Sequence, residues 1–197
     1  MDFNKIIQRV INIITKPKSE WIAIKNESLS TKDIFVKYAI WVAIIPVVAS
    51  FIGVTVFGIK IAWATVRVPF GRAFVSMIFQ YIFILAGAFL LGFIIDSLAP
   101  SFGAKKDMEA SLKVAVFSAF PGWIAGILGI IPAIAMIGFI AGLYSLYVMY
   151  IGLKELKETP DDKYMGYFIV TIVVYIVIAV LIGFLVKEIG GYNFGGF

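Results

Sequence analysis

The chain has 197 residues, is 61% hydrophobic and only 15% charged, and has a mean hydropathy of +1.00. That leaves too little polar surface to cover a water-soluble globule, so lipid must be the solvent for most of it. Cysteine and histidine are both absent, which excludes thiol nucleophiles, disulfides, imidazole bases and the commonest zinc and haem ligands, and the formal charge of +5 is scattered over segment ends rather than gathered into a nucleic-acid-binding patch.

Residues 1–35 form an N-terminal segment assigned to the cytoplasm. Within it, Phe3, Ile6, Ile7, Val10, Ile11 and Ile14 recur at helical spacing, opposite Asn4, Lys5, Gln8, Arg9 and Asn12. The pattern predicts an amphipathic helix in the plane of the membrane surface, with Lys5 and Arg9 meeting headgroups. Packing onto a partner or onto the chain's own loops is the alternative. Pro17 ends this helix, and Trp21 is expected at headgroup depth. Ser30-Thr31-Lys32-Asp33 reads as a capping box opening the first membrane helix.

The chain is predicted to be all-α, a polytopic integral membrane protein with five crossings over residues 36–187. The first covers about 36–57, with Pro46 kinking rather than breaking it. Residues 58–72 form a connector with a short interfacial stretch near Trp63. The second crossing covers about 73–95. Gln80 within it is either a substrate ligand or, more commonly for such amides, a hydrogen-bond partner of a neighbouring helix. Asp96, just past its end, suits an interfacial carboxylate better than a proton relay.

From Lys113 to Lys154 the sequence carries no charged side chain between the two lysines. About 40 helical residues would reach about 60 Å, twice a hydrocarbon core of ~30 Å, so the run must cross twice, over about 113–131 and 133–153, with Pro132 at the turn. Ser118, Gly122 and Gly126 in the first arm and Gly138 and Gly142 in the second recur every fourth position, and each set is expected to form a helix-packing or functional face. Pro121-Gly122 could also mark a discontinuous helix lining a cavity, although a proline kink with glycine packing is the simpler reading. Tyr144, Tyr147 and Tyr150 read as helix contacts and an aromatic belt. Asp161 and Asp162 precede the last crossing, about 166–186, where they suit the helix dipole better than a cation site. A flexible Gly/aromatic tail, 188–197, follows.

With the N-terminus inside, five crossings place 13 of the 17 basic residues in the cytoplasm and 4 outside. The C-terminus then lies outside, and the cell membrane is the expected location.

The surface helix followed by PKSEW, FSAFPGW in the third crossing and GLYSLYVMYIGLKEL at the end of the fourth resemble the Yip domain family of Ypt-interacting proteins. The resemblance covers nearly the whole chain and carries over at Pro17, Trp21, Pro121, Gly142 and Gly152. It implies a five-helix membrane protein; eukaryotic members act in vesicle traffic, bind prenylated GTPases and form hetero-oligomers. Their Asp-Leu-Tyr-Gly-Pro motif and long N-terminal cytoplasmic domain are missing here, which removes the basis for expecting GTPase binding. The short N-terminus is similar to that of prokaryotic members.

Two function classes follow. One is a non-enzymatic membrane scaffold or interaction protein, whose partners are the bilayer and further copies or other chains at the small-residue faces. The other is a small-molecule or lipid transporter with its site between the third and fourth crossings. No catalytic residue, cofactor or metal ligand is expected.

Overall fold

A computed structural model of the chain describes residues 3–61, 63–134 and 137–190. Among them are seven helices: α1 Phe3–Thr15, α2 Pro17–Lys25, α3 Thr31–Phe57, α4 Phe70–Phe102, α5 Met108–Ile130, α6 Ile137–Lys157 and α7 Asp161–Gly190. Helices α3, α4 and α5 are each long and apolar enough to cross a membrane by length and composition. Helices α6 and α7 cover the stretches expected to form the fourth and fifth crossings.

The first helix stops at Thr15, as the proline rule requires. Pro17 does more than end it. Only Lys16 intervenes before α2 begins with Pro17 in its first turn, where a missing N–H costs nothing because that donor has no intrahelical partner. The stretch after the first helix, PKSEWIAIK, is therefore helical. The capping box forms as read: the Asp33 N–H donates to Ser30 Oγ at 3.2 Å, and the Ser30 N–H reaches Asp33 Oδ2 at 3.4 Å. Pro46 lies inside unbroken helix, and α3 widens into π-helical turns on either side, at Phe35–Ala39 and Gly53–Phe57. Such turns absorb the local loss of ladder bonds.

The connector after α3 departs from the all-helical expectation. Gly58, at φ 75°, ends the helix, and a two-stranded antiparallel hairpin follows, β1 Ile59–Ile61 and β2 Ala64–Val66, with Lys60 opposite Thr65. Trp63 at its tip is fully exposed. After α5 tightens into a 3-10 turn over Gly126–Ile130, a second one at Pro132–Ile134 makes the predicted hairpin turn. Helix α7 runs to Gly190, into the stretch expected as tail; residues 191–197 of that tail lie outside the described residues.

Helix α5 is the axis of the fold. Its residues from Ala110 to Ser118 are all buried, among α1, α3, α4 and α6. Phe117 sits at the centre, with ring centroids 5.3 Å from Tyr38, 5.3 Å from Phe120 and 6.4 Å from Trp21. Large side chains on the outer faces of α4 and α7, such as Phe79, Phe83, Val173 and Val177, are about half exposed. In water these would be a liability, but in a bilayer they are the solvated surface.

Candidate functional site

Polar chemistry collects at one end of the bundle, where α1 and α2 fold against α5 and α6. Two buried clusters build that end.

The first joins α4, α5 and α6. Asp107 caps α5, accepting from the Ala110 N–H at 3.0 Å, while its own N–H donates to Asp96 Oδ1 at 2.8 Å. Lys157, the last residue of α6, donates to Ser111 Oγ at 2.7 Å and to the Asp107 carbonyl at 3.1 Å, and pairs with Asp96 Oδ1 at 3.4 Å. Burial holds the Lys157 ammonium below the usual lysine range, although Asp96 opposes that shift. A lysine in contact with a serine hydroxyl is the arrangement of a Ser–Lys nucleophile pair. Here Ser111 and the Lys157 side chain are both completely buried, and Lys157 is committed to Asp96, so no substrate carbonyl can reach them. Asp96 thus serves as a clasp between three helices.

The second cluster fastens the N-terminal helices. Arg9 pairs with Glu20 at 2.6 Å and with Glu27, and its guanidinium lies 5.7 Å from the Tyr38 ring and 5.5 Å from the Phe117 ring. Burial opposes its charge, but Glu27, Tyr38 and Glu20 outweigh it and raise the pKa above the arginine norm. Lys113 donates to the carbonyls of Ile24 and Glu27. Trp21 Nε1 donates to the Val148 carbonyl at 3.0 Å, and the Tyr144 hydroxyl to the Ile14 carbonyl at 2.6 Å.

Two expected surface anchors are therefore internal. Arg9 is 7% exposed and Trp21 0%; both hold α1 and α2 to the bundle instead of meeting headgroups, because two carboxylates and an aromatic pocket satisfy them better than an interface does. Lys5 stays on the outer face of α1 and is engaged within the chain. Beside Asn4, Lys5 and Gln8, α1 also exposes apolar side chains: Phe3, Ile7 and Ile11 are each about half exposed, and Phe3 packs edge-on against Trp41 at 5.5 Å.

The glycine face of the central hairpin divides. The Gly122 N–H donates to Ser145 Oγ at 3.0 Å, which ties the two arms. A Cβ on Gly126 would clash with Pro46 of α3, so that glycine serves a contact outside the hairpin. Gly138 lies 3.8 Å, measured from an added Cβ, from the Ala125 carbonyl, but Gly142 meets nothing within 4 Å. Its expected packing role inside the chain fails, because that side of α6 is open. Pro121 is buried within helix that continues to Ala125, so no discontinuity forms there. Tyr147 lies against Tyr144 at 5.7 Å and is half exposed. Three close approaches escaped the sequence reading: Gly53 under Gly129, Gly92 under Leu112, and Gly152 under Trp21, 2.6 Å from an added Cβ. The first two carry no local motif, since the partner of each lies on another helix.

Gln80 finds no neighbouring-helix partner and borders both of two cavities. The larger, about 440 Å³, lies between α4, α5 and α7 rather than between α5 and α6, where a transport site was expected.

A family model described as the Yip1 domain matches residues 11–184. No curated protein and no solved structure matches the chain. The match spans most of the sequence, from α1 to α7, and the chain belongs to that family.

Proposed function

We propose that this member of the Yip1 domain family is a non-enzymatic membrane scaffold, crossing the cell membrane five times through α3 to α7. Its cytoplasmic end presents a rigid platform built by α1, α2 and the connectors after α4 and α6. The observation that carries this reading is the fastening of α1 and α2. A buried arginine with two carboxylates, a fully buried tryptophan and two side-chain bonds to backbone carbonyls hold them to the bundle. A freely mobile tail would need none of these.

The exposed stripe of Phe3, Ile7 and Ile11 then rests in the bilayer surface, which retains the interfacial role of α1 with its other face on the protein. Lys16, Lys18, Lys25, Lys32, Lys105 and Lys106 are exposed around the platform and give it a basic rim. The open face of α6 at Gly142 is available to a second copy or another membrane helix.

Native-nanodisc purification tests the proposal. The parent should retain a protein partner in fixed ratio, and Trp21→Ala, which unfastens α2, should lose it while remaining inserted. A stoichiometric solute that the reconstituted protein moves across the bilayer would overturn the scaffold reading.

A further inference from the structure

The two cavities share Gln80 as a lining residue and border successive stretches of α4, residues 80–91 and 73–80. The smaller, about 160 Å³, is bordered by Ser50 of α3 and by Ser76 and Gln80 of α4. The larger runs past Ala88, Ala115 and Ala119, whose small side chains open it, and Tyr175 of α7 borders it. The Tyr175 hydroxyl lies 3.1 Å from where a Cβ on Gly87 would stand.

Depth follows from helix geometry. Asp96 belongs to the polar end, and Gln80 stands sixteen residues away on the same helix, about 24 Å at ~1.5 Å per residue. Ser76 is about 6 Å further. Across a hydrocarbon core of ~30 Å, Gln80 and Ser76 therefore reach the opposite boundary, at the level of lipid ester groups. Ser50, Ser76 and Gln80 have no hydrogen-bond partner among the described residues. All three carry donors from which lipid ester carbonyls can accept at that depth, and Ser76 and Gln80 are exposed.

Shape suits a chain-like occupant. The larger cavity follows ~16 Å of α4 between Gln80 and Leu91, a length that one extended acyl chain can span.

We propose that the two cavities form one furrow that binds one ester-linked glycerolipid from the leaflet opposite the polar end, its carbonyls at Ser76 and Gln80 and an acyl chain along Ala88 and Ala119. This rests on α4 crossing the bilayer. Hydrocarbon burial gives no preference in a lipid solvent, so retention over bulk lipid comes from the paired carbonyls.

The test places the full chain in nanodiscs of diether phosphatidylcholine doped with a diester phosphatidylcholine bearing an acyl-chain diazirine, and maps the adducts. Adducts should concentrate at Ala88 and Ala119, and Ala119→Leu should reduce them about tenfold, equivalent to ~1.4 kcal/mol. Gln80→Leu should leave the furrow open but abolish the advantage of unlabelled diester over diether lipid as competitor. Phe93, lipid-facing and outside the furrow, should label at the same low level throughout. Even labelling of Phe93 and Ala119 that ignores Ala119→Leu would overturn the site. So would reaction of Gln80→Cys with a hydrophilic thiol reagent, which would mean water fills it. Loss of labelling at Phe93 as well would instead remove α4 from the bilayer and overturn the crossing itself.

Discussion

Asp96 and Lys157 show how a buried charge pair is tolerated where three helices meet. Each is less than a tenth exposed, and the Asp107 N–H and the Ser111 hydroxyl complete the shell. Removing one partner leaves the other buried and uncompensated, which typically costs ~3–5 kcal/mol. Lys157→Met should therefore lower the melting temperature in detergent sharply, and adding Asp96→Asn should restore much of it. Equal melting of the single and double variants would mean the pair is not coupled. At the surface the outcome differs. Glu158 pairs with Lys25 at 3.0 Å, and that lysine holds its carboxyl below the usual glutamate value of 4.5. A carboxyl with a lowered folded pKa adds stability that is present above the unfolded value and vanishes as pH falls through the folded one. Both side chains are well exposed, so the gain is small and sensitive to salt. The difference in melting between the parent and Glu158→Gln should be constant above the unfolded value, close as pH falls through the lower folded one, and shrink in high salt. A difference that grew on acidification would reverse the assignment.

Among the elements, the central hairpin divides what sequence could reveal from what it could not. The length of the charge-free run required two arms, and Pro132 marked their turn. Both follow from local rules and both hold. Which glycine packs depends on the facing helix, which periodicity does not contain. Gly126 lies against Pro46, and Gly142 faces open space. Gly126→Leu should accordingly cost roughly the 1–3 kcal/mol of overpacking, whereas Gly142→Leu should stay within about 0.5 kcal/mol in the isolated chain, as surface changes do. If Gly142→Leu destabilises the protein only above a threshold concentration, α6 carries an oligomer contact. The same limit explains Arg9 and Trp21. Spacing placed Arg9 on the polar side of a surface helix and Trp21 was expected at headgroup depth, but Glu20, Glu27 and Val148, which make them internal, come from α2, the loop after it and α6. The helical nature of α2 was legible in Pro17 as a first-turn residue and was lost by reading that proline only as a stop.

At the scale of the whole molecule, every described polar connector falls at one of two ends. The loops after α2, α4 and α6 meet around the Asp96 and Arg9 clusters. The β1–β2 hairpin and the Pro132 turn lie together at the far end. Were the two ends on opposite sides of a membrane, 13 of the 17 basic residues would fall on the side of the Asp96 and Arg9 clusters and 4 on the other. The family match is consistent with it without specifying the number of crossings.

The central claim is that one membrane face carries α1, α2 and the two connectors, while the other carries the hairpin and the turn. Cysteine scanning tests it most directly, because the native chain has no cysteine. Ser19, Ser101, Asp162, Trp63 and Ile131 are all exposed, so each can be replaced singly by cysteine and treated with an impermeant thiol reagent in intact cells. The account predicts labelling at positions 63 and 131 only, with 19, 101 and 162 reacting once the membrane is opened. Labelling of 101 or 162 in intact cells, or protection of 63 until lysis, would contradict it.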